Sequence, residues 1–252
     1  MTVDPGWALL IALVALFALT SLAYYLGRLP LQAQSAVAVL RACAQLTIAA
    51  LVITTAIRHV WLAVALIVFM TAMAVVTTGR RTDTLRRWPW ITASLATGIV
   101  PTVAAILAAR VVPFTGIALI PIAGIIIGNT MNAHTLFGRR AFAALREESG
   151  QYDAYLSLGF SPGMAISEIV DRRTPEALIP GLDSIRTAGV VTLPGAFIGV
   201  MLGGGSAVQA AAAQVLVLFA IMATQAITVV VAQGLVQARK ILPPDLAEAL
   251  RD

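Results

Sequence analysis

Charge is scarce in this chain. Of its 252 residues only 12% are Asp, Glu, Lys or Arg, about half the share of a typical soluble domain. Cysteine is nearly absent: Cys43 stands alone, which excludes an intrachain disulfide and a cysteine cluster for zinc or an iron–sulfur centre. Lysine is as rare. Lys240 lies between Arg239 and Ile241, so no Gly-x-x-x-x-Gly-Lys-[Ser/Thr] loop exists to cradle nucleotide phosphates. What fills the chain instead is apolar, at 59% hydrophobic residues. A soluble fold cannot hide that much apolar surface, so soluble enzymes, disulfide scaffolds and disordered tails are excluded.

Apolar runs of membrane-crossing length lie at 7–27, 35–57, 61–79, 91–112, 117–136, 187–204 and 208–235. The first follows Met1-Thr-Val-Asp-Pro-Gly6, which has no basic residue, and exceeds a signal-peptide core, so it reads as a retained anchor. The expectation is an all-α, multi-pass membrane protein in a single transmembrane domain over 1–252, with about seven spans set among lipids.

The net charge of +5 could suggest nucleic acid, but the basic residues fall between the spans. Fourteen of the seventeen, including Arg80, Arg81, Arg86, Arg87, Arg139 and Arg140, lie on one side; Arg58 and Arg110 lie on the other, with Arg41 inside the second span. The positive-inside rule then puts the N-terminus outside and the C-terminus in the cytoplasm of the cell (plasma, or inner) membrane. No nucleic-acid partner is expected.

The segment 137–186 is the one sizeable polar piece, on the cytoplasmic side by that tally. Leu136, Phe137, Ala141, Ala144 and Leu145 recur at helical spacing, so the fifth span is expected to run on as an amphipathic helix. Ser161-Pro162 and Thr174-Pro175-Glu176 each offer an N-capping hydroxyl followed by proline at the first helical position. Gly159 is placed to close the preceding helix.

Within the spans, Gly124 and Gly128, then Gly195, Gly199 and Gly203, form small-xxx-small rows that let helices approach closely. Thr192-Leu-Pro194-Gly195 removes a backbone donor and marks a kink or hinge. Asn129, Met131, Asn132 and His134 form a polar run in an apolar helix, fit to line a substrate path or to hydrogen-bond a neighbour. Arg41, with Gln45 one turn away, has no carboxylate partner in any span; it can meet an anion or a lipid phosphate, or snorkel to the interface. Gln214 and Gln225 nearly eclipse on the last span, beside Thr224 and Thr228, as a path or a subunit contact. Asp183 and Arg186, at the start of the sixth span, read as a structural ion pair.

Ile120-Pro-Ile-Ala-Gly-Ile-Ile-Ile-Gly-Asn-Thr-Met-Asn132, Leu156-Ser-Leu-Gly-Phe-Ser-Pro162, Ala177-Leu-Ile-Pro-Gly-Leu-Asp-Ser184 and Gly189-Val-Val-Thr-Leu-Pro-Gly195 together resemble the FetB-type ABC transporter permeases, the family joining bacterial iron-export permeases to plant aluminium-tolerance half-transporters. The likeness covers most of 120–240, with Arg41-x-x-x-Gln45-Leu46 a further match. It implies a non-catalytic permease that binds no cofactor itself, paired as a homodimer with ABC ATPase subunits that carry the ATP and magnesium. It also implies that 137–186 acts as the coupling segment: Asp153-Ala154-Tyr155 six residues ahead of Gly159, with Ser161 beyond, resembles the Glu-Ala-Ala-x-x-x-Gly motif, with Asp for Glu and Tyr for the second Ala.

The resemblance implies metal export, iron first, and a role in metal homeostasis. The residues leave an anionic metabolite such as a nucleotide sugar open, since Arg41 suits phosphate and no metal-ligand set is evident. A self-contained secondary transporter is a rival, but inverted repeats with paired interruptions are missing, Pro101 being the sole counterpart to Pro194. An intramembrane protease lacks its dyad.

Overall fold

The computed structural model describes residues 6–56 and 59–250, with the side chains of Thr55 and Ala56 excepted. The end of the predicted second span, with Arg58 and Arg251 of the charge tally, lies outside them. Contacts divide the chain into two units, 1–58 and 59–252.

The N-terminal unit holds α1 (Trp7–Leu26) and α2 (Gln32–Ala56). No charged residue interrupts α1. A turn follows in which Leu29 N–H donates to the Tyr24 carbonyl, with Arg28 at φ 52°. Arg41 borders a shallow groove on α2 with Ala33, Gln34, Val37 and Ala38.

The second unit contains α3 (Val60–Arg81), a 3-10 turn Leu85–Arg87, α4 (Trp88–Ala108), α5 (Gly116–Glu147), α6 (Ser149–Ser157), α7 (Pro162–Val170), a 3-10 turn Thr174–Ala177, α8 (Ile179–Thr187), α9 (Gly195–Leu202), α10 (Ala207–Gln237) and α11 (Pro244–Ala249). α10 is its centre, packed against α4, α5 and α9, while α3 packs on α5. Ile91 and Leu95 of α4, Ile126, Phe137 and Leu145 of α5, and Val229 and Val236 of α10 are sealed inside. Gly98 is what lets α4 approach: a Cβ there would collide with the Thr228 hydroxyl and sit 2.7 Å from the Thr224 carbonyl. α5 continues unbroken from its apolar start to Glu147, as the helical spacing of Leu136 to Leu145 requires.

Six helices among the described residues are long and apolar enough to cross a membrane: α1, α2, α3, α4, α5 and α10. They match six of the seven predicted runs. The remaining run, 187–204, does not form one continuous helix. It holds the end of α8, an irregular stretch over 188–194 and the eight residues of α9. Gly189 at φ +84° and Pro194 as the N-cap of α9 account for the interruption.

Candidate functional site

α10 has 31 residues, about 46 Å at 1.5 Å per residue, against a hydrocarbon core of about 30 Å. Its midpoint is Met222, and Gln225 lies just beyond. The Gln225 Nε2 donates to the Asn129 carbonyl at 3.2 Å, near the middle of the 32-residue α5. α8 arrives at the same level, where a Cβ on Gly181 would collide with Gln225 Oε1. Three elements thus meet at the waist of the bundle.

The predicted polar run of α5 separates around this waist. Asn129 turns its own Nδ2 back to the Ile125 carbonyl at 2.9 Å, so its carbonyl, not its amide, makes the interhelical contact. Asn132 Oδ1 accepts from Arg81 Nη1 of α3 at 3.5 Å. Met131 packs half-buried against the core. His134 is 2% exposed, and neither ring nitrogen has a partner among the described residues. Gln214 Oε1 and Thr228 Oγ1 of α10 are likewise buried and unpartnered. Arg41 and Gln45 belong to the N-terminal unit, where neither makes a hydrogen bond or ion pair among the described residues. Of the glycine rows, Gly124 would place a Cβ 3.0 Å from Met70 Cε, whereas at Gly128, Gly195 and Gly199 a Cβ meets nothing within 4 Å.

At the end of the bundle that carries α6 and α7, local chemistry sets a stiff tip. Gly159 at φ +89° lets the Phe160 N–H reach the Tyr155 carbonyl at 3.0 Å and its own N–H reach Leu156 at 2.9 Å, with the Tyr155 and Phe160 rings 5.3 Å apart. These are the two bonds and the apolar contact of a Schellman cap. Ser161 then caps α7, accepting from the Met164 N–H at 3.4 Å. Asp153, Ala154, Gly159 and Ser161 are all exposed. Thr174 behaves otherwise than its Thr-Pro-Glu sequence suggests: its hydroxyl donates back to the Val170 carbonyl, and Thr174–Ala177 is a 3-10 turn rather than a helix start.

α7 is locked to α10. It buries Ala165, Ile166, Ile169 and Val170, and beyond it Asp171 accepts from Ser167 at 2.8 Å, from Gln237 at 2.8 Å and from Gln233. Composition alone hides this latch; its visible signal is two amides one turn apart, Gln233 and Gln237, in the last turns of a mostly apolar helix. Ion pairs gird the same end, with Arg173 between Glu148 and Glu176, Arg140 on Glu176, and Arg146 on Asp245. The Arg146 guanidinium holds the Asp245 carboxyl below the ordinary carboxylate range.

α8 buries no residue. Asp183 pairs with Arg186 at 3.1 Å, and both side chains are more than half exposed. The sequence places this pair at the start of a span. With Gly181 against Gln225, it lies instead at the level of the waist. Past it the backbone leaves the helix, and the N–H groups of Ala188 to Thr192 all donate within the turn: Ala188 to Ile185, Gly189 to Thr192, and Val190, Val191 and Thr192 to Thr187.

The profile of the Uncharacterised protein family (UPF0014) matches residues 7–241. Among similar proteins, the UPF0014 membrane protein STAR2 of Oryza sativa subsp. japonica is 31% identical over 222 residues, covering 86% of this chain and 78% of that one. Protein ALUMINUM SENSITIVE 3 of Arabidopsis thaliana is 29% identical over 220 residues, covering 86% and 78%. The Probable iron export permease protein FetB of Escherichia coli is 33% identical over 131 residues, covering 52% and 51%. No solved structure matches the chain.

Proposed function

The chain belongs to the UPF0014 family, and from that membership we propose that it is the membrane permease subunit of an ATP-driven ABC-type transporter that exports metal, with iron as the first candidate. ATP is hydrolysed on a separate subunit, consistent with the absence of a phosphate-binding loop around Lys240. The observation that carries the reading is the α6–Gly159–α7 tip: exposed, closed by a Schellman cap, and fastened through Asp171 to the central helix α10. Such a part can pass a rigid-body push from an ATPase into the bundle. The relative named as an iron export permease supports the cargo. The arginine tally supports a cytoplasmic tip, an outer N-terminus and residence in the cell membrane. Two permeases and two ATPases complete the assembly.

One observation favours a second cargo. Arg41, without an acidic partner, suits an anionic metabolite such as a nucleotide sugar.

The test is purification of the tagged chain from gently solubilised membranes. An ATPase should co-purify, and iron salts should stimulate its hydrolysis. Gly159→Val, which strains a left-handed position whose Cβ meets nothing within 4 Å, should reduce that stimulation about tenfold without unfolding the bundle. Stimulation by nucleotide sugars alone would move the cargo to the second reading. A lone protein that transports in liposomes would overturn the ATP-driven reading in favour of a secondary transporter.

A further inference from the structure

We propose that the turn between α8 and α9 is a binding station for a hard metal cation, held by backbone carbonyls and the Asp183 carboxylate, and that Arg186 is the counter-ion the metal displaces. The proposal rests on the reading of the chain as a metal permease and adds the place where the metal stops.

Depth comes first. Gly181 abuts Gln225, twelve residues from Gln237 and eighteen from Ala207, about 18 and 27 Å along α10. α9 packs on α10 and joins its start through Gly203–Ser206. The turn 188–194 therefore lies between the waist and the N-terminal half of α10, at membrane depth. Non-helical backbone and charged side chains are not tolerated there against lipid; they occur where protein covers them or where they line a water-filled cavity.

The turn's hydrogen-bond inventory then selects the sign of the ligand. Its N–H groups from Ala188 to Thr192 are spent internally, and three of them converge on the single Thr187 carbonyl. The carbonyls of Ala188, Gly189, Val190 and Val191 accept nothing among the described residues. Four successive free acceptors suit a cation, and α8 ends here with the negative pole of its dipole. Broken membrane helices present unwound carbonyls and half-helix C-termini to cations in the same way.

Asp183 adds a full negative charge one turn back. The hydroxyls of Ser184 and Thr187 already donate to the Pro180 and Asp183 carbonyls, leaving only lone pairs to offer. Carboxylate and carbonyl oxygens are the hard donors that iron, manganese and similar cations take. Arg186 pairs with Asp183 at 3.1 Å. A metal must compete it away, which keeps the station weak enough to release its cargo.

The probe is Mn²⁺, read by electron paramagnetic resonance on the full chain in lipid nanodiscs. One ion per chain should bind, Asp183→Asn should weaken it at least tenfold, and Arg186→Gln should tighten it. α8 buries no side chain, so neither variant disturbs the core. In a Cys43→Ser background, Val190→Cys should react with a membrane-impermeant thiosulfonate, and Mn²⁺ should slow that reaction. Unchanged Mn²⁺ affinity in Asp183→Asn overturns the proposal. So does a Val190→Cys that only a lipid-permeant maleimide reaches, which would put the turn against lipid or a second copy. None of these readings involves ATP, so loss of the ATPase partnership and loss of the station are separately visible.

Discussion

α7 and α8 are each nine residues long, each with a proline in its first turn, and both approach α10. There the likeness ends. α7 sinks four apolar side chains into the core and gives its terminal carboxylate three donors; α8 sinks none, meets α10 around one glycine, and gives its carboxylate only its own arginine. Burial fixes a short helix far more than propensity does. The same length of chain therefore serves once as an anchor and once as a helix held by few contacts.

The sharpest way to break this contrast is to truncate one apolar side chain in each. Ile169→Ala, at 0% exposure, should cost about 2–4 kcal/mol of unfolding free energy in detergent, whereas Leu182→Ala, at 39% exposure, should cost under about 1 kcal/mol. Equal losses would make α8 as anchored as α7.

A smaller effect tests the one contact α8 does have. Gly181→Ala should push the tip of Gln225 aside and cost about 1 kcal/mol, and Gln225→Ala in the same chain should recover most of it. Strict additivity in the double-mutant cycle would deny that the two residues touch energetically.

The smallest effect concerns α11, held partly by Leu246 in the core and partly by the Arg146–Asp245 pair at 2.6 Å. The Asp245 carboxyl lies below its ordinary value. Its contribution is therefore complete above the unfolded carboxylate value, about 3.9, and is lost as pH falls through the lowered folded one. Because Asp245 is half exposed, Asp245→Asn should cost under about 1 kcal/mol at neutral pH. The gap between variant and parent should close in acid; a gap that widens there would reverse the sign.

What the sequence made legible follows one pattern. Six long apolar helices, the Gly159 closure and the Ser161-Pro162 start all depend on neighbours within a few residues, and all appear where those residues put them. Thr174-Pro175 carries the same local signal as Ser161-Pro162, yet its hydroxyl turns back to Val170, because the chain there closes the end of α7 instead of opening a helix. The run 187–204 reads as continuous in sequence because apolar composition measures fitness for lipid rather than helicity. Pro194 marked one edge of its interruption, and Gly189 at positive φ widened it. The waist itself was hidden. Gln225 was visible as a polar residue, but its partners, a backbone carbonyl on α5 and the missing side chain of Gly181, leave no chemical trace in a one-dimensional string.

The amides of α10 have a mechanical consequence. Gln233 and Gln237 grip Asp171 near one end, Gln225 touches α5 and α8 near the middle, and α4 presses close at Gly98. A helix held in this way behaves as a shaft with handles. Turning it by about 20° sweeps a side chain at the helix surface through about 2 Å, roughly the difference between a hydrogen bond made and one lost. Torque applied at α7 would then arrive beside Asp183 with no need for any span to slide.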